Sequence, residues 1–292
     1  MNNLNARLGL TLARLIVRLP RPMQYGLGRL LGKFLYRFGK RRRHIAEVNI
    51  SLCFPELSDE QQKILVRKVF TENAIGFIET AVSWFRKPEY SYQHIAVEGL
   101  EYLEAAKSLG RGVILVGSHF STLDLGGLLV TANTKLDASY RPQKNQLIND
   151  VMLKSRQGFL ERVISHKNMR EIIKSLKDGH VLWYAPDQDY GRKVSVFAPF
   201  FGIEAATVKF TAKLAKVCNS PVVVLGHYRK ADDSGYVLSY SKALEGFPSG
   251  DEVADATQVN QAIEHEIRKC PEQYMWVHRR FKTRPEGEDG FY

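Results

Sequence analysis

The sequence predicts an α/β protein with a mixed or largely parallel central sheet flanked by helices, and an amphipathic, membrane-associating helical segment at the amino terminus. Short apolar runs such as Val113–Val116 alternate with longer segments of helical period, which is typical of an α/β sandwich. The first 43 residues hold eleven lysines and arginines and no acidic residue. With 292 residues, the chain has room for one large domain. We therefore expect a basic segment over 1–43 and a single α/β domain over 44–292.

The basic segment has leucine and phenylalanine between its cations, a pattern that favours a helix lying in a membrane interface. A spanning helix needs about 20 mainly apolar residues, and arginines interrupt every such window. Arg7, Arg14 and Arg18 also break the apolar core that a signal peptide would need. The composition leaves a mitochondrial transit peptide open. The net charge of +11 also suits nucleic acid, but the chain shows neither zinc-ligand spacing nor a ribonucleoprotein motif, so we expect a membrane surface and no nucleic acid.

The remaining elements follow in order. Gly28-x3-Gly32 predicts close helix packing. The stretch from Ser58 to Gln61 predicts a helix start with a capping box, and the pattern continues to about Phe85 as one long helix or a helical hairpin. The period predicts further helices over Gly99–Leu109, Asn168–Leu176, Ala205–Val217 and Asp255–Lys269, strands over Val113–Val116, Val181–Ala185, Pro221–Leu225 and Tyr236–Tyr240, and an apolar loop over Ala198–Gly202.

His119 and Asp124 form the strongest candidate for a catalytic pair. His119 follows the first predicted strand directly, and Asp124 begins the next apolar run. They meet only if His119 lies in the strand-to-helix turn and Asp124 in the first helical turn, because five helical residues rotate the chain by about 140° from the start. A carboxylate on one imidazole nitrogen leaves the other as a general base. No serine or cysteine elbow is near, so the base would act on a substrate hydroxyl. A surface histidine beside a helix-start aspartate is the alternative.

Three further residues are candidates for substrate binding. Arg141, before Pro142, suits a phosphate or an oxyanion, although a surface arginine is the simpler interpretation. Asp187 and Gln188 follow the Val181 strand in a polar loop, where calcium is rejected because the other ligands of that loop pattern are absent. The three cysteines are scattered and odd in number, which indicates neither a disulfide framework nor a metal cluster and fits a reducing compartment.

Taken together, these motifs resemble the late acyltransferases of lipid A synthesis, in particular the lauroyltransferase and palmitoleoyltransferase branch of Gram-negative bacteria. That group lies within the glycerolipid and lysophospholipid acyltransferase superfamily, whose signature is His-x4-Asp. Many members of the lipid A branch have glutamate where Asp124 stands. The resemblance covers nearly the whole chain and rests on His119-x4-Asp124, Arg141-Pro142, the block from Trp183 to Gly191, the block from Gln273 to Lys282, and the stretch Asn49–Glu56.

The resemblance implies transfer of an acyl group from acyl-carrier protein to a hydroxyl on a 3-hydroxyacyl chain of a Kdo-bearing, phosphorylated glycolipid, at the cytoplasmic face of the bacterial inner membrane. In that mechanism His119 is the base, Asp124 orients it, and Arg141 binds phosphate or stabilises the oxyanion. Asp187 and Gln188 would contact the acceptor, and no cofactor, metal or covalent enzyme intermediate is required. Two alternatives are an acyltransferase for a lysophospholipid or another lipid, and a non-catalytic membrane-binding protein, which the His119/Asp124 pair disfavours.

Overall fold

The computed structural model describes residues 3–292, and a seven-stranded sheet lies at its centre. The strands are β1 (Ile95–Glu98), β2 (Val113–Gly117), β3 (Leu136–Tyr140), β4 (Arg162–Ser165), β5 (Val181–Tyr184), β8 (Val222–Arg229) and β9 (Tyr236–Tyr240), with β6 (Ser195–Phe200) and β7 (Ile203–Val208) forming a separate hairpin. The order across the sheet is β1-β9-β8-β2-β5-β3-β4, and only the β8–β9 pairing is antiparallel. The predicted, largely parallel sheet is therefore confirmed.

Helices cover both faces of this sheet. They are α1 (Asn3–Ile16), α2 (Arg21–Phe38), α3 (Lys40–Cys53), α4 (Asp59–Phe85), α5 (Glu89–Tyr92), α6 (Leu100–Ser108), α7 (Leu123–Val130), α8 (Gln146–Arg156), α9 (Met169–Lys177), α10 (Phe210–Cys218) and α11 (Glu252–Lys269). The central strand β2 is buried throughout, as expected for a parallel strand covered on both sides. Because side chains alternate along a strand, Ile114 and Val116 enter one apolar core while Val113 and Leu115 enter the other.

The stretch between residues 58 and 85 is one long helix, α4, rather than a hairpin. Its predicted capping box is confirmed: the Ser58 backbone N–H donates to Oε1 of Gln61 at 2.8 Å, and the Ser58 hydroxyl accepts from the Gln61 backbone. The predicted close packing at Gly28 and Gly32 is also confirmed. A Cβ at either position would lie 2.6 Å from an atom of α4, so only glycine lets α2 approach this closely.

The predicted helix over Ala205–Val217 is wrong in its amino-terminal part, which forms a strand. The predicted loop over Ala198–Gly202 is wrong for its first three residues, which end another strand. Residues 195–208 form the antiparallel hairpin β6–β7, and the helix α10 begins only at Phe210. Phe201 and Gly202 make the tight turn between the strands, both with positive φ. The small residues of β7 lack the alternating polar face that identifies a strand, which explains the mistaken helix.

The basic segment is part of the folded body. The expected boundary after residue 43 lies inside α3, and Ala6 and Leu10 of α1, Val17 of the turn that follows, and Tyr25 of α2 are buried. Within residues 3–292, none of the helices combines the length and the apolar character needed to cross a bilayer.

A buried ion network joins this segment to the sheet. Arg229 of β8 is 3% exposed and its guanidinium contacts Glu79 at 3.1 Å, Asp233 at 2.8 Å, and Glu72. Burial lowers the pKa of Arg229, but the charges of Glu79 and Glu72 outweigh burial and raise it, so this side chain stays charged. The guanidinium also lies 4.9 Å from the ring centre of Tyr25 in α2. The network therefore couples α2 and α4 to the edge of the sheet.

Candidate active site

His119 lies in the turn between β2 and α7, at the carboxyl end of the central strand. This is the position where open α/β sheets bind their ligands. The predicted placement of His119 in the turn and of Asp124 in the first turn of α7 is confirmed.

The imidazole of His119 is hydrogen-bonded to Asp187. Nδ1 of His119 lies 2.6 Å from Oδ1 of Asp187, and the His119 backbone N–H donates to Oδ2 at 2.9 Å. The hydroxyl of Tyr274 donates to the same Oδ2 at 2.9 Å. An ionised carboxylate only accepts hydrogen bonds, so Nδ1 carries the proton and Nε2 remains available as a base.

This contact corrects the expectation that Asp124 orients the imidazole. Strands β2 and β5 are parallel neighbours with Val116 opposite Tyr184, so the loops that follow them begin side by side. Asp187 comes three residues after that register position and reaches His119 across the sheet edge. Asp124 instead forms an ion pair with Arg156, whose Nε and Nη2 lie 2.8 and 2.5 Å from its Oδ1.

Burial and charge have opposite effects on the pKa values of His119 and Asp187. Burial alone lowers the pKa of His119, but the charge and the hydrogen bond of Asp187 outweigh burial, and the pKa lies above its ordinary value. Burial raises the pKa of Asp187, yet the charge of His119 and the hydrogen bonds from His119 and Tyr274 lower it to about 2. The carboxylate is therefore ionised at neutral pH and stabilises the imidazolium that forms when Nε2 takes a proton.

A second buried histidine fixes the turn that carries His119. Nε2 of His227 lies 3.2 Å from the carbonyl oxygen of Ser118, and its Nδ1 lies 2.9 Å from the hydroxyl of Thr122. Burial lowers the pKa of His227 to about 4, so the ring is neutral at neutral pH. One nitrogen can then donate to the carbonyl while the other accepts from Thr122. Gly76 of α4 allows the same turn to approach, because a Cβ there would lie 2.4 Å from the Ser121 carbonyl oxygen.

The carboxyl-terminal block lies against the other side of the turn. The backbone N–H of Met275 donates to the His119 carbonyl at 2.9 Å, and that of Ser121 donates to the Gln273 carbonyl at 2.7 Å. Asn49 of α3 holds the block in place by donating to the carbonyls of Trp276 and His278. This packing brings Tyr274 to Asp187, and the aromatic residues of the block seal the buried side of the pair.

Two cavities meet at His119, the one described residue that lines both. The larger, of about 450 Å³, falls within the range of small-molecule sites, roughly 300–1,000 Å³. We call it the apolar cavity, because its walls include Leu123, Phe159, Leu160, Met169, Trp183 and Phe210. The smaller, of about 220 Å³, we call the cationic cavity, because Arg42, Arg279, Arg280 and Lys282 line it.

The predicted site residues divide between these cavities. Asp124 and Arg141 line the apolar cavity with His119, whereas Asp187 and Gln188 line the cationic cavity with it. The amide nitrogen of Gln188 lies 3.2 Å from Nε2 of His278. Burial, and then the nearby charge of His119, lower the pKa of His278 to about 4. All five residues therefore line one or both of the cavities that share His119, although their contacts differ from those expected.

The sequence did not single out Arg156 or His227, and gave Tyr274 and His278 only as members of a motif. Arg156 ends the polar helix α8 and carries no local pattern that marks it. His227 lies in the apolar strand β8, where a histidine is more often a satisfied core residue.

The exposed surface of α1 and α2 forms one further feature, which we call the apolar face. It consists of large side chains spaced three or four residues apart, namely Leu4, Leu8, Leu12 and Leu15 on α1, and Met23, Leu27, Leu30, Leu31, Phe34 and Phe38 on α2. Leu8 is 70% exposed and Leu30 is 65% exposed. Large apolar side chains exposed along one helix after another are typical of an interaction surface.

Comparison with known proteins shows a full-length match. The sequence profile of the family described as "Bacterial lipid A biosynthesis acyltransferase" matches residues 3–283. The lipid A biosynthesis palmitoleoyltransferase of Escherichia coli (strain K12) is 41% identical over 285 residues, which are 97% of this chain and 93% of the relative. The lipid A biosynthesis lauroyltransferase of the same strain is 39% identical over 286 residues, 98% of this chain and 94% of the relative. A lipid A biosynthesis acyltransferase of Haemophilus influenzae is 35% identical over 283 residues, covering 96% and 90%.

Proposed function

The chain belongs to the bacterial lipid A biosynthesis acyltransferase family, and on this premise we propose what it transfers and how. It moves a fatty acyl chain, lauroyl or similar, from acyl-carrier protein to a hydroxyl on a 3-hydroxyacyl chain of a Kdo-bearing lipid A precursor. The observation that carries the proposal is the position of His119, which is hydrogen-bonded to a buried carboxylate and lies where an apolar and a cationic cavity meet.

The reaction is a direct acyl transfer. The acceptor hydroxyl gives its proton to Nε2 of His119 as its oxygen attacks the thioester carbonyl, and a C–O bond forms. The imidazolium is stabilised by Asp187, which keeps Nδ1 protonated throughout. When the tetrahedral intermediate collapses, the C–S bond breaks and the thiol of the carrier leaves with the proton from Nε2. General base catalysis of this kind contributes about 10²–10⁴-fold.

Arg156 is the group best placed to stabilise the oxyanion. It lines the apolar cavity beside His119, and Asp124 engages its Nε and Nη2 and so fixes the plane of the guanidinium. Nη1 remains for a ligand, and a fixed donor at a developing negative charge contributes about 10²–10³-fold. Asp124 would then act through Arg156 instead of through His119. Arg141 lines the same cavity and remains a candidate for substrate phosphate or for the oxyanion.

The apolar cavity is suited to the acyl chain. Aliphatic and aromatic side chains dominate its walls, and each methylene moved there from water contributes about 0.8 kcal/mol. A thioester whose chain fills this cavity would bring its carbonyl to His119 and Arg156, which both line the cavity.

The apolar face of α1 and α2 would hold the enzyme on the inner membrane at its cytoplasmic face. The leucines of α1 recur every three or four residues, and the cations of the first 43 residues lie between the apolar positions. This arrangement suits a helix buried at the level of the lipid headgroups. A lipid acceptor would reach the cavities from that surface, while the net charge of +11 favours an acidic carrier protein and a phosphorylated glycolipid.

A panel of acceptors tests the proposal. Purified full-length protein in detergent micelles is given lauroyl-acyl-carrier protein with the Kdo-bearing precursor, the same precursor without Kdo, or a lysophospholipid. We expect one acyl chain to be added to the Kdo-bearing precursor and release of one equivalent of carrier thiol. Faster acylation of the lysophospholipid would favour the alternative acceptor, and no acylation of any lipid would reject transferase activity.

A further inference from the structure

We propose that the cationic cavity is a phosphate-binding site, separate from the apolar cavity and joined to it at His119. This inference rests on the proposed function, because a substrate phosphate bound there would position the reacting group beside Nε2. The two cavities share no described lining residue except His119. A polar ligand and an acyl chain can therefore occupy them at the same time.

The charge of the cavity is the first argument. Four side chains with permanent positive charge line it, and the only carboxylates among its described lining residues are Asp187 and Asp189. Both carboxylates are already engaged. Asp187 accepts hydrogen bonds from His119 and Tyr274. Asp189 accepts from the backbone N–H of Gly191 at 2.8 Å and from the backbone and hydroxyl of Thr283 at 2.7 and 2.9 Å, and its Oδ1 lies 3.8 Å from Nζ of Lys282. Three of the four cations therefore have no paired carboxylate among the described residues.

The arginines provide the second argument, since they lack counter-charges. Within residues 3–292, no carboxylate oxygen lies within 4.0 Å of the guanidinium of Arg42, Arg279 or Arg280. Arg280 is only 3% exposed, and the oxygens that accept hydrogen bonds from its guanidinium are those of a carbonyl, a hydroxyl and an amide. Burial raises the pKa of Glu264 and the charge of Arg280 opposes that rise, so a carboxylate is near Arg280 without being paired to it. A buried cation with no directly paired carboxylate is costly, and an anionic ligand in the cavity offsets part of that cost for Arg280.

The arrangement of the donors indicates phosphate. Arg42 comes from α3, whereas Arg279 and Lys282 come from the carboxyl-terminal block, so the cations reach the cavity from two directions. Arg42 is held by donating to the Val277 carbonyl at 2.9 Å, and Arg279 lies 5.6 Å from the ring centre of Tyr292. Several guanidinium groups contributed by two segments of the chain match the several oxygens of a phosphate.

Two substrates of the proposed reaction carry such a group. One is the phosphopantetheine arm of the acyl-carrier protein, and the other is the phosphorylated glycolipid acceptor. Two pairs of probes separate them: 4′-phosphopantetheine against pantetheine, and the bisphosphorylated lipid A disaccharide precursor in micelles against the same lipid after phosphatase treatment. Equilibrium binding to the full-length protein is measured for all four.

The test variant is Arg279→Gln/Lys282→Gln, since both side chains are exposed and Arg280, which braces the hairpin, stays intact. The matched control is Arg170→Gln/Lys216→Gln, an exposed arginine and an exposed lysine outside both cavities. Thermal unfolding checks that both variants fold. We expect the native protein to bind one phosphorylated probe on the order of tenfold or more tightly than its partner. The test variant should lose most of that preference and the control should keep it.

The probe pair that shows the preference identifies the substrate. Equal binding of phosphorylated and unphosphorylated probes by the native protein, or an unchanged preference in Arg279→Gln/Lys282→Gln, would overturn the phosphate site. Turnover is scored separately. Native protein that shows the phosphate preference but transfers no acyl group would reject the proposed function and leave the site standing. Native protein that transfers acyl groups but binds the phosphorylated and unphosphorylated probes equally would support the proposed function and reject the phosphate site.

Discussion

Replacing Asp187 with asparagine should change both the rate and the pH dependence of acyl transfer. The substitution keeps the size of the side chain but removes the charge 2.6 Å from Nδ1 of His119. An amide can also present an N–H to Nδ1, which would hold the ring in the tautomer protonated on Nε2 and leave no base for the hydroxyl. We expect kcat to fall by about 10²–10⁴-fold, up to the loss expected when the base itself is removed.

The direction of the pH shift follows from the two opposing influences on His119. In the native protein, the base is active only when unprotonated, so kcat/KM falls as the pH drops through the pKa of His119, which Asp187 raises above the ordinary 6.5. Without the charge of Asp187, burial is the influence that remains, and burial lowers the pKa. The acid limb of the kcat/KM profile should therefore move to lower pH in Asp187→Asn.

Asp137→Asn is the matched control. Asp137 is a fully buried carboxylate that also contacts a histidine, with Nδ1 of His180 at 3.0 Å, but it lines neither cavity. It should lose stability while its folded fraction keeps the native kcat and acid limb. The assay is release of carrier thiol from lauroyl-acyl-carrier protein between pH 5 and 9, normalised to folded protein. Near-native kcat in folded Asp187→Asn would refute the pairing of Asp187 with His119. An acid limb that stays at the same pH or moves to higher pH would refute it as well.

Three further predictions test other parts of the structure. Arg156→Gln should lower kcat by about 10²-fold with little change in KM for the thioester, because the oxyanion donor acts in the transition state; a pure KM effect would instead make it a binding residue. Arg229→Met should lower the free energy of unfolding by about 3–5 kcal/mol, because it leaves buried carboxylates without their counter-charge. The control Lys135→Met breaks an exposed ion pair at 3.8 Å and should lower it by no more than about 1 kcal/mol. Equal losses in urea titrations would contradict a structural role for the network. Leu8→Glu/Leu30→Glu should weaken flotation with anionic vesicles without unfolding, since both side chains are exposed; native binding would place the membrane contact elsewhere.

The sequence predicted the fold where periodicity was strong. Strand β2 lies between polar turns and consists of buried aliphatic residues, so its apolar run marks it clearly. Among the strands of the central sheet that were not predicted, β1 and β4 have only four residues each, and β3 contains polar residues. Strand β3 contains Asp137, which is fully buried and whose Oδ2 is hydrogen-bonded by Ser175 and His180, partners that are distant along the chain. Only the tertiary contacts make a carboxylate acceptable at that position.

The site was predicted in its members but not in its contacts. Local spacing directs attention to Asp124 because it is five residues from His119, whereas Asp187 is 68 residues away. The partner of His119 is set by the register of β2 and β5, which no local pattern contains. The same reasoning applies to Tyr274, which reaches Asp187 only because the carboxyl-terminal block packs beside the His119 turn. Sheet register therefore decides which carboxylate serves the histidine.

The most direct test of the central claim compares native protein with His119→Ala in one assay. Lauroyl-acyl-carrier protein and the Kdo-bearing precursor are incubated with each protein, and mass spectrometry follows the acceptor while a thiol reagent follows the carrier. We predict one added lauroyl group per acceptor and equal thiol release with the native protein, and a loss of about 10²–10⁴-fold with folded His119→Ala. Near-native transfer by folded His119→Ala, or thiol release by native protein without acylation of any lipid, would contradict the account.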